Sequence, residues 1–342
     1  MTPDTHASSV FTTQQGKTLG WLLLIASFAV VSVILLLQWG AVDIAVNDVW
    51  QCVFGRCVTP MQEAVIWQIR LPRILLGFLV GAGLACCGAV MQTAVRNPLA
   101  DPYLFGIVAG AGLGIVIANQ LLPLLSVNLL PLMAFIGAAG AILLVIALAY
   151  YLQRVEVIVL AGVSVAFLLG AATQLLLYLG EPMASNRIMF WLMGSLAGAN
   201  MAQVQGLAAV FLVALTASLA MHRQLNVLLL DDDSARALGV HASRLRILLL
   251  LGCAVLTAMI VAYAGGIGFV GLMVPHMVRF LTGSFLLSLL LGCTLVGGVL
   301  MIWVDFLARN LLSGQDIPIG ILTSALGSLF FMGLLFRAHQ RA

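Results

Sequence analysis

The stretch LMAFIGAAGAILLVIALAYY, residues 132–151, decides the fold. It runs for twenty residues without a charge, and about twenty apolar residues of α-helix span the hydrocarbon core of a bilayer. The rest of the chain repeats the theme. Apolar windows fall near 19–38, 67–95, 103–122, 132–151, 158–179, 203–221, 246–264, 268–282, 286–308 and 319–336. The 342 residues are 63% hydrophobic and 8% charged, with a mean hydropathy of +1.15. Ordinary soluble domains carry roughly 25% charged residues. Fifteen basic and twelve acidic side chains cannot cover the surface of a soluble protein this long. The sequence therefore predicts an all-α polytopic membrane protein with about ten transmembrane helices.

The run Leu19–Leu37 is too long for a signal-peptide core and no small-x-small site follows it, so it reads as a retained first helix. Ten spans put both termini on one side. With the amino terminus inside, interior loops hold Lys17, Arg96, Arg154, Arg223, Arg236, Arg244, Arg246, Arg279, Arg337 and Arg341. Exterior loops hold Arg56, Arg70, Arg73, Arg187 and Arg309, so the positive-inside rule favours this orientation by ten to five. The expected division is a cytoplasmic tail at 1–18, a transmembrane domain at 19–336 and a cytoplasmic tail at 337–342. Within the domain, the polar island at 222–245 becomes a cytoplasmic loop. Glycine, with 34 copies often spaced as small-x-x-small, suits close helix packing in lipid.

Several functions are excluded. Gly16-Lys17-Thr18 imitates the end of a phosphate-binding loop, but Phe11 stands where the first glycine is required. Lys17 is the only lysine, so the chain holds no other such loop and does not hydrolyse nucleotide. Catalytic signatures are absent, and the histidines are scattered at 6, 222, 241, 276 and 339. His276, in Val274-Pro275-His276-Met277-Val278-Arg279, suits a structural role beside a proline break better than a ligand role. No metal site is expected. Cys86, Cys87, Cys253 and Cys293 lie in apolar runs as small core residues. Cys52 and Cys57 flank a polar loop and form a local disulfide if that loop faces an oxidising compartment.

Two polar features remain inside the array. Asp305 precedes Arg309 by one turn, a spacing that lets the two pair on one helix face. A carboxylate at depth is by default a functional candidate, yet a self-contained pair explains it more simply. The second feature, Arg96-Asn97-Pro98-Leu99-Ala100-Asp101-Pro102, ends one helix and starts another, with Asp101 near the new helix amino terminus.

These words belong to an ordered set. Ile69-Arg70-Leu71-Pro72-Arg73, Gly88-Ala89-Val90-Met91-Gln92, Arg96 through Pro102, Gly266 through Leu272, Pro275-His276-x-x-Arg279 and Ile317-Pro318-Ile319-Gly320 follow one another along the chain. Together they resemble the FecCD-like permease subunits of type II bacterial ABC importers for iron–siderophore complexes, haem and cobalamin. The resemblance covers about residues 60–336. It implies a ten-helix permease of the bacterial inner membrane that pairs with a second permease, same or related. Two cytoplasmic ATPase subunits carrying ATP and Mg would bind below, and a periplasmic substrate-binding protein would dock above. No permanent cofactor and no nucleic-acid partner are implied.

Residue by residue, the resemblance assigns Arg70, Arg73 and Arg309 to docking of binding-protein carboxylates. Arginine makes such charge-assisted contacts well. The island Asp231, Asp232, Asp233, Ser234, Arg236, Leu238, Gly239, Val240 and His241 matches the coupling loop, two short helices joined at a Leu-Gly. Asp232 or Asp233 is expected to cap the first helix, Gly239 to end it and a second short helix to start near Ala242. Arg154 and Val155 fall at a cytoplasmic constriction and are candidate gate residues, though relatives carry small hydroxyl residues there. The turn Gly283-Ser284-Phe285 departs from the family's Asp-His-Arg-like triplet. The expected activity is ATP-driven import of a metal chelate, most simply a ferric siderophore, with haem and cobalamin as alternatives. A gradient-driven transporter would place ion-coordinating acids in its spans, and only Asp305 qualifies.

Overall fold

A computed structural model of the chain describes residues 4–39, 44–57, 59–121, 129–152, 157–230, 232–283, 285–312 and 315–339. Among these residues the regular structure is helical and there is no strand. The order is α1 (Asp4–Gln38), α2 (Val46–Val53), α3 (Pro60–Ala64), α4 (Leu71–Val95), α5 (Ile107–Leu121), α6 (Leu130–Leu152), α7 (Val157–Leu179) and α8 (Pro182–Leu192). Then follow α9 (Met201–Ala220), α10 (His222–Val227), α11 (Asp232–Ala237), α12 (Ala242–Ala264), α13 (Val270–Thr282), α14 (Leu286–Asn310) and α15 (Ile319–His339). Eight segments are long and apolar enough to cross a membrane, and the shorter apolar helices Ile107–Gln120 and Val270–Thr282 complete the ten expected windows.

Two boundaries moved for physical reasons. The second window starts at Pro60, because α3 runs through a wide turn at Val65–Arg70 directly into α4. The expected window opens at 67, and the fold carries the same helix back to Pro60 while bonding the Arg70 and Arg73 guanidiniums internally. The third helix begins at Ile107, after a tight turn at Pro102–Phe105 that Asp101 caps. The polar segments at 39–66 and 180–202 contain helices α2 and α8, which do not span, and α3, which opens the second span.

Helix α4 is the axis of the molecule. Its window is 83% buried, against 17–28% for those of α1, α6, α7, α9 and α15, and it packs on α9, α12, α13 and α14. Its crossing with α14 is a backbone contact: a Cβ on Gly81 would collide with the Gly297 carbonyl, and one on Gly297 with Gly81. With lipid as apolar as the core, such contact packing holds helices together. Irregular backbone also meets near the start of α15. The Ser195 amide donates to the Ala264 carbonyl (2.9 Å), and the Ile319 and Gly320 amides donate to Gly194 and Met193 (3.0 Å each). The Ile267 amide donates to the Tyr103 hydroxyl (2.8 Å). Non-helical backbone at membrane depth survives only where protein satisfies it in this way.

Candidate functional site: charged clusters at the two ends of α4

Arg73 lies at the start of α4 and Arg96 just past its end, about 35 Å apart by helix rise. Each end carries a charged cluster.

At the first end, Pro72 sits in the opening turn of α4, directly after the wide turn at Val65–Arg70, and Arg73 follows facing the last turns of α14. Its Nε donates to both oxygens of Asp305 (3.0 and 3.1 Å), and its Nη2 lies 3.0 Å from Asp305 and 3.0 Å from Asp316. Arg309 reaches back one turn, with Nε 3.2 Å from the same Asp305. The Asp305–Arg309 pair expected from spacing is present, but Arg73, from 232 positions earlier, is the fuller partner. Arg70, expected on the docking surface, points inward. It is buried, and its Nη1 donates to the Leu37 and Gln38 carbonyls (2.6 and 2.9 Å) at the end of α1. The last carbonyls of a helix lack intrahelical partners, which draws a long donor to them. Nearby, Cys52 and Cys57 are disulfide-bonded at the end of α2, while Cys86, Cys87, Cys253 and Cys293 are buried free thiols.

At the other end, Arg96 closes α4 in the left-handed region (φ 54°) and donates from Nε to the buried Leu228 carbonyl (2.7 Å). Arg246, in the second turn of α12, is also buried and donates to the Ala94 carbonyl (2.9 Å). The segments before and after α11 are thereby both tied to the end of α4. Helix α11 ends in a Schellman motif: the Gly239 amide donates to Arg236 and the Val240 amide to Ala235, each at 2.9 Å. Gly239 takes the positive φ (77°) that this motif needs. The expected second short helix is instead the opening of α12, continuous from Ala242 into the membrane. Asp233 sits inside α11 beside Arg236 (3.6 Å) rather than capping it, Asp232 is the first helical residue, and Asp231 lies outside the described residues. Leu229, Leu230, Leu238 and His241 are exposed around this hairpin, and Ser234 is partly so. Arg154 and Val155 also lie outside the described residues.

Between the two ends, residues far apart in sequence converge. Asn97 accepts the Leu99 amide (2.9 Å), Pro98 is exposed, and Pro102 is buried behind Asp101. Asp101 accepts the Tyr103 amide through Oδ1 (2.7 Å), while its buried Oδ2, beside Gly271, has no partner. Burial pushes this carboxyl up to about 6. Gln92 donates to the Gly271 carbonyl (3.2 Å) and accepts from Arg279 Nη1 (2.7 Å), tying α13 to α4. Pro275 is buried inside α13, and His276 packs edge-on against Phe280, Phe330 and Phe331. A cavity of about 470 Å³ opens between α5, α7 and α8, and among its lining residues only Tyr103, Thr173 and Gln174 are polar. Among the described residues no group of three or more His, Cys, Asp or Glu could hold a metal.

The FecCD transport family model matches residues 28–337. The chain belongs to the FecCD transport family. The hemin transport system permease protein HmuU of Yersinia pestis is 36% identical over 310 residues, covering 88% of this chain and 91% of that protein. The Fe(3+)-citrate import system permease protein YfmE of Bacillus subtilis is 35% identical, with coverages of 96% and 99%. The vitamin B12 import system permease protein BtuC of Citrobacter koseri is 34% identical, with coverages of 96% and 97%. A metal-chelate type ABC transporter solved in an inward-facing conformation superposes with a TM-score of 0.84 at 34% identity, covering 93% of this chain and 99% of that one. Relatives of this FecCD chain are thus transport permeases for haem, cobalamin and ferric citrate. Sequence reasoning placed Arg96 in the turn motif Arg96–Pro102 without naming its bond, noted Arg246 only as a positive charge, and missed Asp316 altogether. No local pattern joins Asp316 to an arginine 243 positions away.

Proposed function

We propose that this chain is the membrane-spanning subunit of an ATP-driven importer that carries a metal chelate inward by alternating access, with ferric siderophore as the leading substrate. The observation that carries this reading is the family match over 28–337 in a chain whose single lysine belongs to no phosphate-binding loop. A permease of this family without its own nucleotide site takes its power stroke from another protein. The α11 hairpin supports that role. It is short, closed by a Schellman motif, rimmed by exposed leucines and charges, and bolted to the central helix.

Docking of a periplasmic binding protein is assigned to Arg73 and Arg309 at the opposite end, both largely buried but still reaching the surface (12 and 15% exposed). The Cys52–Cys57 bond supports placing that end in the oxidising periplasm and both termini in the cytoplasm. Pairing with a second permease is assigned to the side bearing α7. One exposed stripe there, Leu160, Ser164, Phe167, Ala171, Gln174 and Tyr178, carries three side chains with polar groups that suit an aqueous pathway better than lipid. Asp305, the one acid that suggested ion coupling, is neutralised by two arginines, which favours the ATP-driven reading.

The test is reconstitution. Vesicles holding the permease with its ATPase partner should accumulate ferric chelate only with internal binding sites for ATP occupied and binding protein outside. Uptake by the permease alone, driven by an ion gradient, would overturn the reading.

A further inference from the structure

We infer that Asp316 is an internal stand-in for the docking carboxylate: it occupies Arg73 while the binding protein is away and must be displaced for docking. This inference rests on the docking role proposed for Arg73 and Arg309.

The four charges of the cluster are not equivalent. Asp305 is 3% exposed and gripped by both arginines, so it is a fixed part of the helix crossing. Two guanidiniums around one buried carboxylate leave one positive charge unbalanced. Asp316 balances it through a single contact, Oδ2 to Arg73 Nη2 at 3.0 Å, with a side chain that is 48% exposed. It sits on an irregular segment, after the end of α14, whose next residue is tethered to α14 through the Ile317 amide and the Ala308 carbonyl (3.0 Å). The carboxylate can therefore swing off while its loop stays in place. Beside it, Arg309 Nη2 is buried without a hydrogen-bond partner, a donor left over by the resting arrangement. An incoming carboxylate that replaces Asp316 keeps the cluster neutral, takes over Arg73 Nη2 and has Arg309 Nη2 within the same cluster. Exposed ion pairs contribute little in water, so the exchange is readily reversible. Asp316 thus sets a threshold: a partner without a well-placed carboxylate gains nothing from these arginines.

The experiment measures binding-protein affinity on the whole transporter, permease with its ATPases, in nanodiscs by biolayer interferometry. Asp316→Asn should tighten docking about 1.4- to fivefold, the range spanned by an exposed ion pair. Arg73→Ala should weaken docking, and adding Asp316→Asn to Arg73→Ala should then change nothing. A gain that survives in the Arg73→Ala background would be a general charge effect and would overturn the inference. So would unchanged or weaker docking by Asp316→Asn alone while Arg73→Ala weakens it, an outcome that leaves the docking reading standing. If Arg73→Ala and Arg309→Ala both leave affinity unchanged, the docking reading itself fails and this inference with it. Asp316→Ser carries the same test should Asp316→Asn not assemble.

Discussion

Asp101 shows how a single residue can set a pH response. Its Oδ1 caps the turn at Tyr103 while its Oδ2 is buried and unpartnered, and burial raises it from 3.8 to about 6. A raised carboxyl prefers its neutral form in the folded state. The stability it contributes is full at low pH, declines as pH rises from about 4 to about 6, and is constant above that. The Asn variant keeps the acceptor for the Tyr103 amide and has no proton to lose. The difference in stability between Asp101→Asn and the native protein should therefore grow from pH 4.5 to pH 7.5, by on the order of 2 kcal/mol. Thermal unfolding in detergent across that range measures it, and parallel curves for the two proteins would refute the account. Arg70 teaches a related lesson, since a residue type suited to docking was captured by two unsatisfied carbonyls of α1.

Among the elements, the α11 hairpin is distinguished by its attachments. Arg96 holds the Leu228 carbonyl ahead of α11, and Arg246 holds the Ala94 carbonyl from the start of α12. In the proposed coupling role, a push on α11 would be passed to the end of α4, which packs against most of the buried helices. Arg246→Met keeps the apolar stem and deletes the donor. It should leave the ATPase assembled and hydrolysing ATP while uptake per ATP falls several-fold. Equal losses of hydrolysis and uptake would mean that Arg246 serves assembly alone. The hairpin's outline was legible from sequence, because Gly after Leu238 announces a left-handed C-terminus. Its merging into α12 was not, because nothing local tells a short helix from the first turns of a long one.

At the scale of the whole molecule, the disulfide and the arginine cluster mark one end and the hairpin the other. The Cys52–Cys57 bond, in a chain whose other four cysteines are buried free thiols, gives a direct test of orientation. Intact spheroplasts treated with a membrane-impermeant maleimide should label weakly, then strongly after an impermeant reductant, and not at all in Cys52→Ser/Cys57→Ser. Labelling confined to inside-out vesicles would invert the topology.

The ten apolar windows, the helical class, the Asp305–Arg309 spacing and the turn at Arg96–Pro102 follow from sequence alone. Each depends on neighbours within a few turns, where hydropathy and helix periodicity act directly. Only the tertiary structure brought Arg73 and Asp316 onto the Asp305 pair, turned Arg70 inward and joined Arg246 to the end of α4. Those contacts pair long, flexible side chains with groups 33 to 243 positions away. In an apolar core every charge must find a partner, but only the packing of the helices decides which one.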